Sequence, residues 1–264
     1  MSHLTLDFSD GVATLTMNRP EARNAFSMEM RASLTEHLHT LELDPEVRCV
    51  VLRGAGDHFM AGGDVKGMAE LVAQDPREIE KQFRLRIHDL HPIMFAMRRM
   101  PKPVLASVRG AAAGAGVSMA LACDLVIAAD DAFFTLAYVN IGTTPDGSST
   151  YFLPRTLGLK RALEMTFLGE RIPAAKAAEW GLVNFVVPAA ELEAETAKIA
   201  RRLASGPTYV YGRAKALLYD SIRRDFESQL QAEAEAFAAC AAREDFREGV
   251  TAFVEKRKPV FTGR

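Results

Sequence analysis

Cysteine and tryptophan are scarce in this 264-residue chain, and no long apolar run interrupts it. The three cysteines, Cys49, Cys123 and Cys240, are odd in number and widely spaced, which argues against a disulfide framework and for a reducing compartment. No apolar stretch approaches ~18 residues, so a membrane span is not expected. Residues 1–7 lack the basic and then apolar pattern of a secretory leader. Lysine plus arginine (32) nearly cancel aspartate plus glutamate (34), giving a net charge of −2; no broad field exists to capture nucleic acid or an anionic membrane. These absences predict a soluble cytoplasmic protein without nucleic-acid or membrane partners. What the chain does have is apolar material, 48% of its residues, enough for a full α/β core.

The most informative stretch is residues 102–124, KPVLASVRGAAAGAGVSMALACD. Residues 104–108 read as a buried strand, 110–116 as a loop of Gly and Ala, and a small-residue helix begins near Ala115. A loop without bulky side chains lets a ligand approach the backbone, and the first amides of a helix lack intrahelical partners. With the positive end of the helix dipole behind them, such N–H groups suit a carbonyl oxygen that gains negative charge during reaction. Close helix–sheet packing would need the same residues. A second loop of similar character, residues 58–64 (HFMAGGD), raises the functional reading.

Along the chain, residues 4–8 and 12–17 alternate around Asp10-Gly11, a hairpin signal. Ser27 caps a helix whose Met30, Leu34, Leu38 and Leu41 keep helical spacing. Residues 48–54 are a short β-branched strand that runs into the 58–64 loop. Asp64 is expected to cap a short helix through Leu71, and Pro76 to open a longer one through Met100. Strands follow at 124–129 and 132–135, then a polar loop at 137–147. The last third is mostly helical: 160–168, 174–180, a strand at 184–187, and helices from about 189 to 254, with a boundary at Gly206-Pro207. Strands alternating with helices indicate an α/β sheet whose ligands lie beyond the strands' carboxyl ends, where both small-residue loops fall.

Several stretches, NRPEARNAFS, FMAGGDVKGM, the 102–134 segment, LPRTLG, GERIPAAKAAEWGLVN and FVEKRKPVF, occur together in the order seen in the enoyl-CoA hydratase/isomerase (crotonase) superfamily, which the chain resembles over nearly its whole length. The resemblance implies a spiral of ββα repeats over residues 1–200 and a C-terminal helical trimerisation region over 201–264. It also implies acyl-CoA thioester substrates, with coenzyme A as part of the substrate and no separate cofactor, and a homotrimer or dimer of trimers with swapped C-terminal helices.

By the same resemblance the oxyanion hole falls on the backbone N–H groups of Gly63 and Ala115. Hydratases of the family use two glutamates, because adding water across a double bond needs a base and an acid. Here Ser118 and Tyr138 stand at those positions. Asp146, in Thr-Pro-Asp-Gly, is the acid that remains, and in isomerases that the chain resembles a carboxylate at this place moves the double bond. Pro-Asp-Gly is also a common turn whose Asp caps the following helix. The expected activity is a Δ3,Δ2-type enoyl-CoA isomerase with Asp146 as proton shuttle and Tyr138 lining the pocket. Hydration, thioester hydrolysis, dehalogenation by Asp146, or acyl-CoA or RNA binding without turnover are the alternatives; near-neutral charge counts against RNA. Arg23, Ala25, Ala61, Asp64 and Lys66 match positions that hold the CoA nucleotide, and Phe253 and Lys256 match a tail contributed by a neighbouring subunit. Met68, Leu71, Phe83, Ile87 and Met94 are expected near the acyl tail. His88 and His91 share a helical spacing but have no third ligand, so no metal is expected.

Overall fold

Alternation in the sequence becomes strand pairing in the computed structural model, which describes residues 2–69 and 71–264. Strands β1 (Leu4–Ser9) and β2 (Val12–Met17) pair antiparallel across Asp10 and Gly11, both at positive φ (52° and 75°), the backbone that a tight two-residue hairpin turn requires. Helix α1 (Met28–Leu43) starts where the Ser27 side chain accepts the Met30 N–H, and it buries Met30, Leu34, Leu38 and Leu41 as their spacing predicts. Then come β3 (Cys49–Gly54), α2 (Pro76–His88), α3 (His91–Arg99), β4 (Val104–Val108), β5 (Ala111–Ala113), α4 (Ala115–Ala122), β6 (Leu125–Ala129) and β7 (Phe133–Thr135). The rest is α5 (Ser149–Thr156), α6 (Leu159–Leu168), β8 (Ile172–Pro173), α7 (Ala174–Glu179), β9 (Phe185–Val187), α8 (Leu192–Ala204), α9 (Thr208–Ser221), α10 (Phe226–Ala241) and α11 (Glu244–Val254).

The main sheet has the order β1-β2-β3-β4-β6-β9 and is parallel beyond the β1–β2 hairpin. Its central strands are apolar on both faces, as helix-covered parallel strands must be. One set of alternate residues, Cys49, Val51, Leu105 and Ile127, packs in a cluster with Leu192, Ala200 and Ala204 of α8. The other, including Val50, Leu52, Val104 and Ala106, joins the larger core with α1, α3 and α4. Burial raises the thiol of Cys49 to about 12 and that of Cys123 higher still, so both stay protonated inside the core. A second sheet, β5-β7-β8, carries the Gly/Ala segment.

The C-terminal helices are tied on through α9. Lys215 Nζ pairs with Asp124 Oδ2 at 2.8 Å and donates to the Met97 carbonyl at 2.8 Å. Arg48 donates to the carbonyls of Gly206 and Phe261. Beyond α9 burial is thin: Ala236 is buried in α10, and Asp245 and Ala252 in α11. Leu218, Phe226, Phe237, Phe253 and Val254 are each at least 69% exposed.

Four local expectations are corrected. The helix expected over 76–100 is two helices broken at Asp89-Leu90, because Pro92 has no N–H to give and its ring crowds the carbonyl four residues back. The helix expected from Asp64 to Leu71 is a single 3₁₀ turn, Lys66–Met68; Asp64 does accept the Gly67 N–H there (3.3 Å), while Glu70 lies outside the described residues. The 110–116 loop contains β5, paired parallel with β7. The helical segment expected from about residue 189 begins at Leu192.

Candidate active site

The two small-residue loops are joined along their backbones. Phe59 N–H donates to the Arg109 carbonyl, Met60 N–H to Ala111, and Ala113 N–H back to Met60, at 2.8 to 3.0 Å. Asn24, fully buried, holds this arrangement from behind: its Nδ2 donates to the carbonyls of Ala55 and His58 and its Oδ1 accepts the Arg19 N–H. Phe26 N–H donates to the Gly62 carbonyl at 2.8 Å. Helix α4 rests directly on this segment, since a Cβ on Gly116 would collide with the Met60 carbonyl. Glycine there is a packing requirement.

Gly114 sets the local geometry. Its φ of 52° with ψ of −117° is open only to glycine at reasonable cost, and that ψ fixes the plane of the peptide carrying the Ala115 N–H. Among the described residues neither the Gly63 N–H nor the Ala115 N–H donates to a protein acceptor. Two unpaired main-chain donors on abutting backbones, one at the start of a helix, are suited to a shared anionic or polarised oxygen. The Met68 side chain lies against Gly63, with Cε 3.0 Å from where a Cβ would stand.

Asp146 reaches the same corner. Its Oδ1 accepts the Tyr138 hydroxyl at 2.6 Å, and the Tyr138 ring lies 3.7 Å from the position a Gly114 Cβ would take. The Asp146 carbonyl is held by Ser118 Oγ (2.8 Å), from the turn of α4 that follows Ala115, and by Ser149 Oγ (2.9 Å). The helix-capping role open to this Asp is not the one adopted: α5 begins after Ser148 at φ 73° with no side-chain cap. The carboxylate faces Tyr138 instead. Burial first, and then the Asp146 charge and hydrogen bond, raise the Tyr138 phenol above its ordinary value of 10.0, so it remains a donor. Met94 closes the far side, its Sδ 3.6 Å from Ser148 Oγ.

A second group gathers where the Arg19–Ala25 segment meets the Gly63 loop. The Ala61 N–H donates to the Arg23 carbonyl at 2.9 Å, and the Ala25 carbonyl accepts Arg19 Nη1 at 2.9 Å. Asp64 Oδ2 pairs with the same Nη1 at 3.2 Å. Arg23, Ala25, Ala61 and Asp64 are therefore brought together, and Lys66 follows on the adjacent 3₁₀ turn. Phe253 and Lys256 are not brought there within one chain: Phe253 lies in the last turn of α11, 85% exposed, and Lys256 follows the end of that helix. His88 and His91 stack on each other with ring centres 5.1 Å apart, and no cluster of three metal-ligating side chains occurs among the described residues. No described helix is long and apolar enough to cross a membrane.

Size does not locate this site. A cavity of about 870 Å³ lies elsewhere, between β1–β4 and α8, and is lined by Thr14, Thr16, Arg53, Ser107, Arg109 and Thr196 among others. It holds neither unpaired loop amide and no part of the Tyr138–Asp146 pair. Two residues in or near the site were not singled out from sequence. Asn24 sits inside the NRPEARNAFS stretch, whose polarity suggests a surface loop. Arg31 occupies an apolar helix face where a charge usually reaches solvent, yet it is 8% exposed.

Comparison with known proteins gives the arrangement its family. The sequence model described as Enoyl-CoA hydratase/isomerase matches residues 7–264. The chain is 38% identical to the 1,2-epoxyphenylacetyl-CoA isomerase of Escherichia coli (strain K12), covering 96% of both chains. It is 35% identical to a 4-chlorobenzoyl coenzyme A dehalogenase of Arthrobacter sp., over 96% of this chain and 91% of that one. An enoyl-CoA hydratase crystal structure from Polaromonas sp. JS666 superposes with a TM-score of 0.91 at 35% identity, covering 98% of this chain and 99% of that one. The likeness in fold carries the expected crotonase-type spiral of ββα repeats with a helical C-terminal region. Alike in sequence and in fold from end to end, the chain belongs to the enoyl-CoA hydratase/isomerase family of acyl-CoA enzymes.

Proposed function

We propose that the protein isomerises the double bond of enoyl-CoA thioesters, with Asp146 as the proton carrier and the Gly63 and Ala115 N–H groups as donors to the thioester oxygen. The Asp146 carboxylate removes a proton from C2 of a 3-enoyl thioester, and the electron pair spreads through the double bond onto the thioester oxygen as a dienolate. Return of the same proton to C4 gives the conjugated 2-enoyl product. Atoms and charge balance with one acid–base group. Each main-chain donor is worth roughly 3–4 kcal/mol to such an oxyanion. The CoA nucleotide is assigned to the Arg23, Ala25, Ala61, Asp64 and Lys66 group. Phe253 and Lys256 reach that group from a neighbouring subunit of a homotrimer or a dimer of trimers, an assembly that would cover the exposed apolar side chains of the C-terminal helices.

The observation that carries this reading is the Tyr138–Asp146 hydrogen bond of 2.6 Å beside Gly114. It supplies one oriented carboxylate where the two glutamate positions of hydratases hold Ser118 and Tyr138, and a 1,3 proton shift needs one base whereas hydration needs a base and an acid. The buried thiols of Cys49 and Cys123 fit a reducing compartment such as the cytoplasm. Parallel assays on matched thioesters test the proposal: conversion of 3-enoyl-CoA to 2-enoyl-CoA is expected to outpace hydration of 2-enoyl-CoA. Faster hydration contradicts it, and binding with neither turnover supports a non-catalytic role.

A further inference from the structure

Arg31 is a buried charge that the proposed reaction leaves without a task. It lies in the first turns of α1 and is 8% exposed. Among the described residues its guanidinium makes one hydrogen bond, from Nη1 to the Arg86 carbonyl at 3.0 Å, and it lies 5.2 Å from the centre of the Phe26 ring. Among the described residues no carboxylate comes within 4.0 Å of it, and its buried Nε has no acceptor. Burying a guanidinium without an anionic partner is costly, so such a group is uncommon unless something else completes it.

Its surroundings say where that partner would come from. Phe26, beneath the guanidinium, is bonded through its own N–H to Gly62 of the loop carrying the unpaired Gly63 amide. Arg86 belongs to the last turn of α2, a helix that buries none of its residues. Helix α1 packs on α3, whose Met94 touches Ser148 beside Asp146. Burial lowers the guanidinium from its ordinary range; of the charges facing it Asp146 opposes this most, Arg86 adds to it and Asp89 opposes it less. Arg31 thus lies between Phe26, whose N–H is bonded to the oxyanion loop, and the end of α2, with Asp146 among the charges it faces.

We propose that Arg31 selects acyl-CoA thioesters whose acyl chain carries a neutral oxygen acceptor, a hydroxyl, ether or carbonyl oxygen beyond the double bond, and that it donates to that oxygen. The inference rests on the isomerase reading of the same site. The thioester oxygen is already assigned to main-chain amides, so the acceptor lies farther along the acyl group. A pure hydrocarbon chain would exclude water from the guanidinium and offer nothing in return. A carboxylate would pair with Arg31 but meet the negative charge of Asp146; a neutral oxygen gains the hydrogen bond without that repulsion.

Three 3-enoyl-CoA substrates of equal chain length test this: a hydrocarbon, an analogue with an ether oxygen replacing one methylene beyond the double bond, and one ending in a carboxylate. The readout is the ratio of kcat/KM values within each protein, which a general loss of folded enzyme does not change. Wild type is expected to prefer the ether by ~10-fold or more over the hydrocarbon. Arg31→Met brings that ratio close to one, and Arg31→Lys, which keeps a charge but not the fork, leaves it between. A wild type that handles the hydrocarbon as well as the ether, a ratio that survives Arg31→Met, or a carboxylate substrate ranking first would overturn the assignment. Asp146→Asn on the hydrocarbon separates the two claims: if it abolishes turnover while the ratio is insensitive to Arg31, this inference alone fails; if turnover persists, the isomerase reading fails.

Discussion

Replacing Tyr138 by Phe removes one atom from the site and leaves the packing against Gly114 in place. The hydroxyl now donates to Asp146 Oδ1 at 2.6 Å, a hydrogen bond to a charged group, which is worth about 1.5–3 kcal/mol. Nothing else among the described residues bonds the Asp146 carboxylate; Ser118 and Ser149 hold its carbonyl. In Tyr138→Phe the carboxylate therefore turns freely about its side-chain bonds. If the full worth of the bond goes into orientation, kcat for isomerisation falls roughly 10- to 150-fold, at about 1.36 kcal/mol per decade. KM should change little, because the hydroxyl touches none of the residues assigned to the nucleotide. The assay is the rise in absorbance of the conjugated thioester from a 3-enoyl-CoA, with circular dichroism to verify folding. A kcat within twofold of wild type would refute the orientation argument, as would a raised KM at constant kcat.

Other outcomes follow from the same geometry. Gly114→Ala puts a Cβ on a backbone at φ 52°, ψ −117°; it should cost ~1–3 kcal/mol in stability and, by turning the Ala115 N–H, lower kcat by ~10²-fold or more, which thermal melting and turnover together would check. Lys215→Met leaves Asp124, already raised by burial, without its cation; a loss of ~3–5 kcal/mol is expected, and a melting temperature within a degree or two of wild type would count against α9 being held by this pair. The Tyr138 phenol is raised above its ordinary value of 10.0, so its share of stability is complete below pH 10 and fades as pH climbs beyond it. The melting-temperature gap between wild type and Tyr138→Phe should be constant at neutral pH and change only above about pH 10. If the proposed subunit assembly forms, Phe253→Asp should weaken it in sedimentation velocity and raise KM for the CoA substrate; an unchanged sedimentation coefficient would remove Phe253 from the proposed interface.

Local patterns carried the fold farther than they carried the site. Asp10-Gly11 and the β-branched runs at 49–54 and 104–108 specify a hairpin and buried strands by themselves, because steric freedom at glycine and burial on two faces are properties of short stretches. β5 is different: Ala111-Ala112-Ala113 has no alternation and weak strand preference, and it extends only because Met60 and β7 flank it. Pro92 was visible, but whether it bends a helix or ends one depends on what packs around Asp89. In the site, glycine and alanine at two strand ends pointed to backbone donors. Arg31 could not be read this way, since a basic residue on a helix is ordinarily solvated, and the end of α2 and Phe26 cover it only in the folded chain. For Asp146 the turn motif leaves helix cap and acid both open; the carboxylate accepts the Tyr138 hydroxyl and does not cap α5.

The most direct measurement is incorporation of solvent deuterium during turnover of a 3-enoyl-CoA in D2O by wild type and Asp146→Asn. Wild type should form 2-enoyl-CoA, moving the C2 proton to C4 with partial exchange, while Asp146→Asn binds the thioester with similar affinity and shows neither isomerisation nor exchange at C2. Deuterium entering C2 at the wild-type rate in that variant would mean that another group removes the proton, and the mechanism built on Asp146 would be wrong.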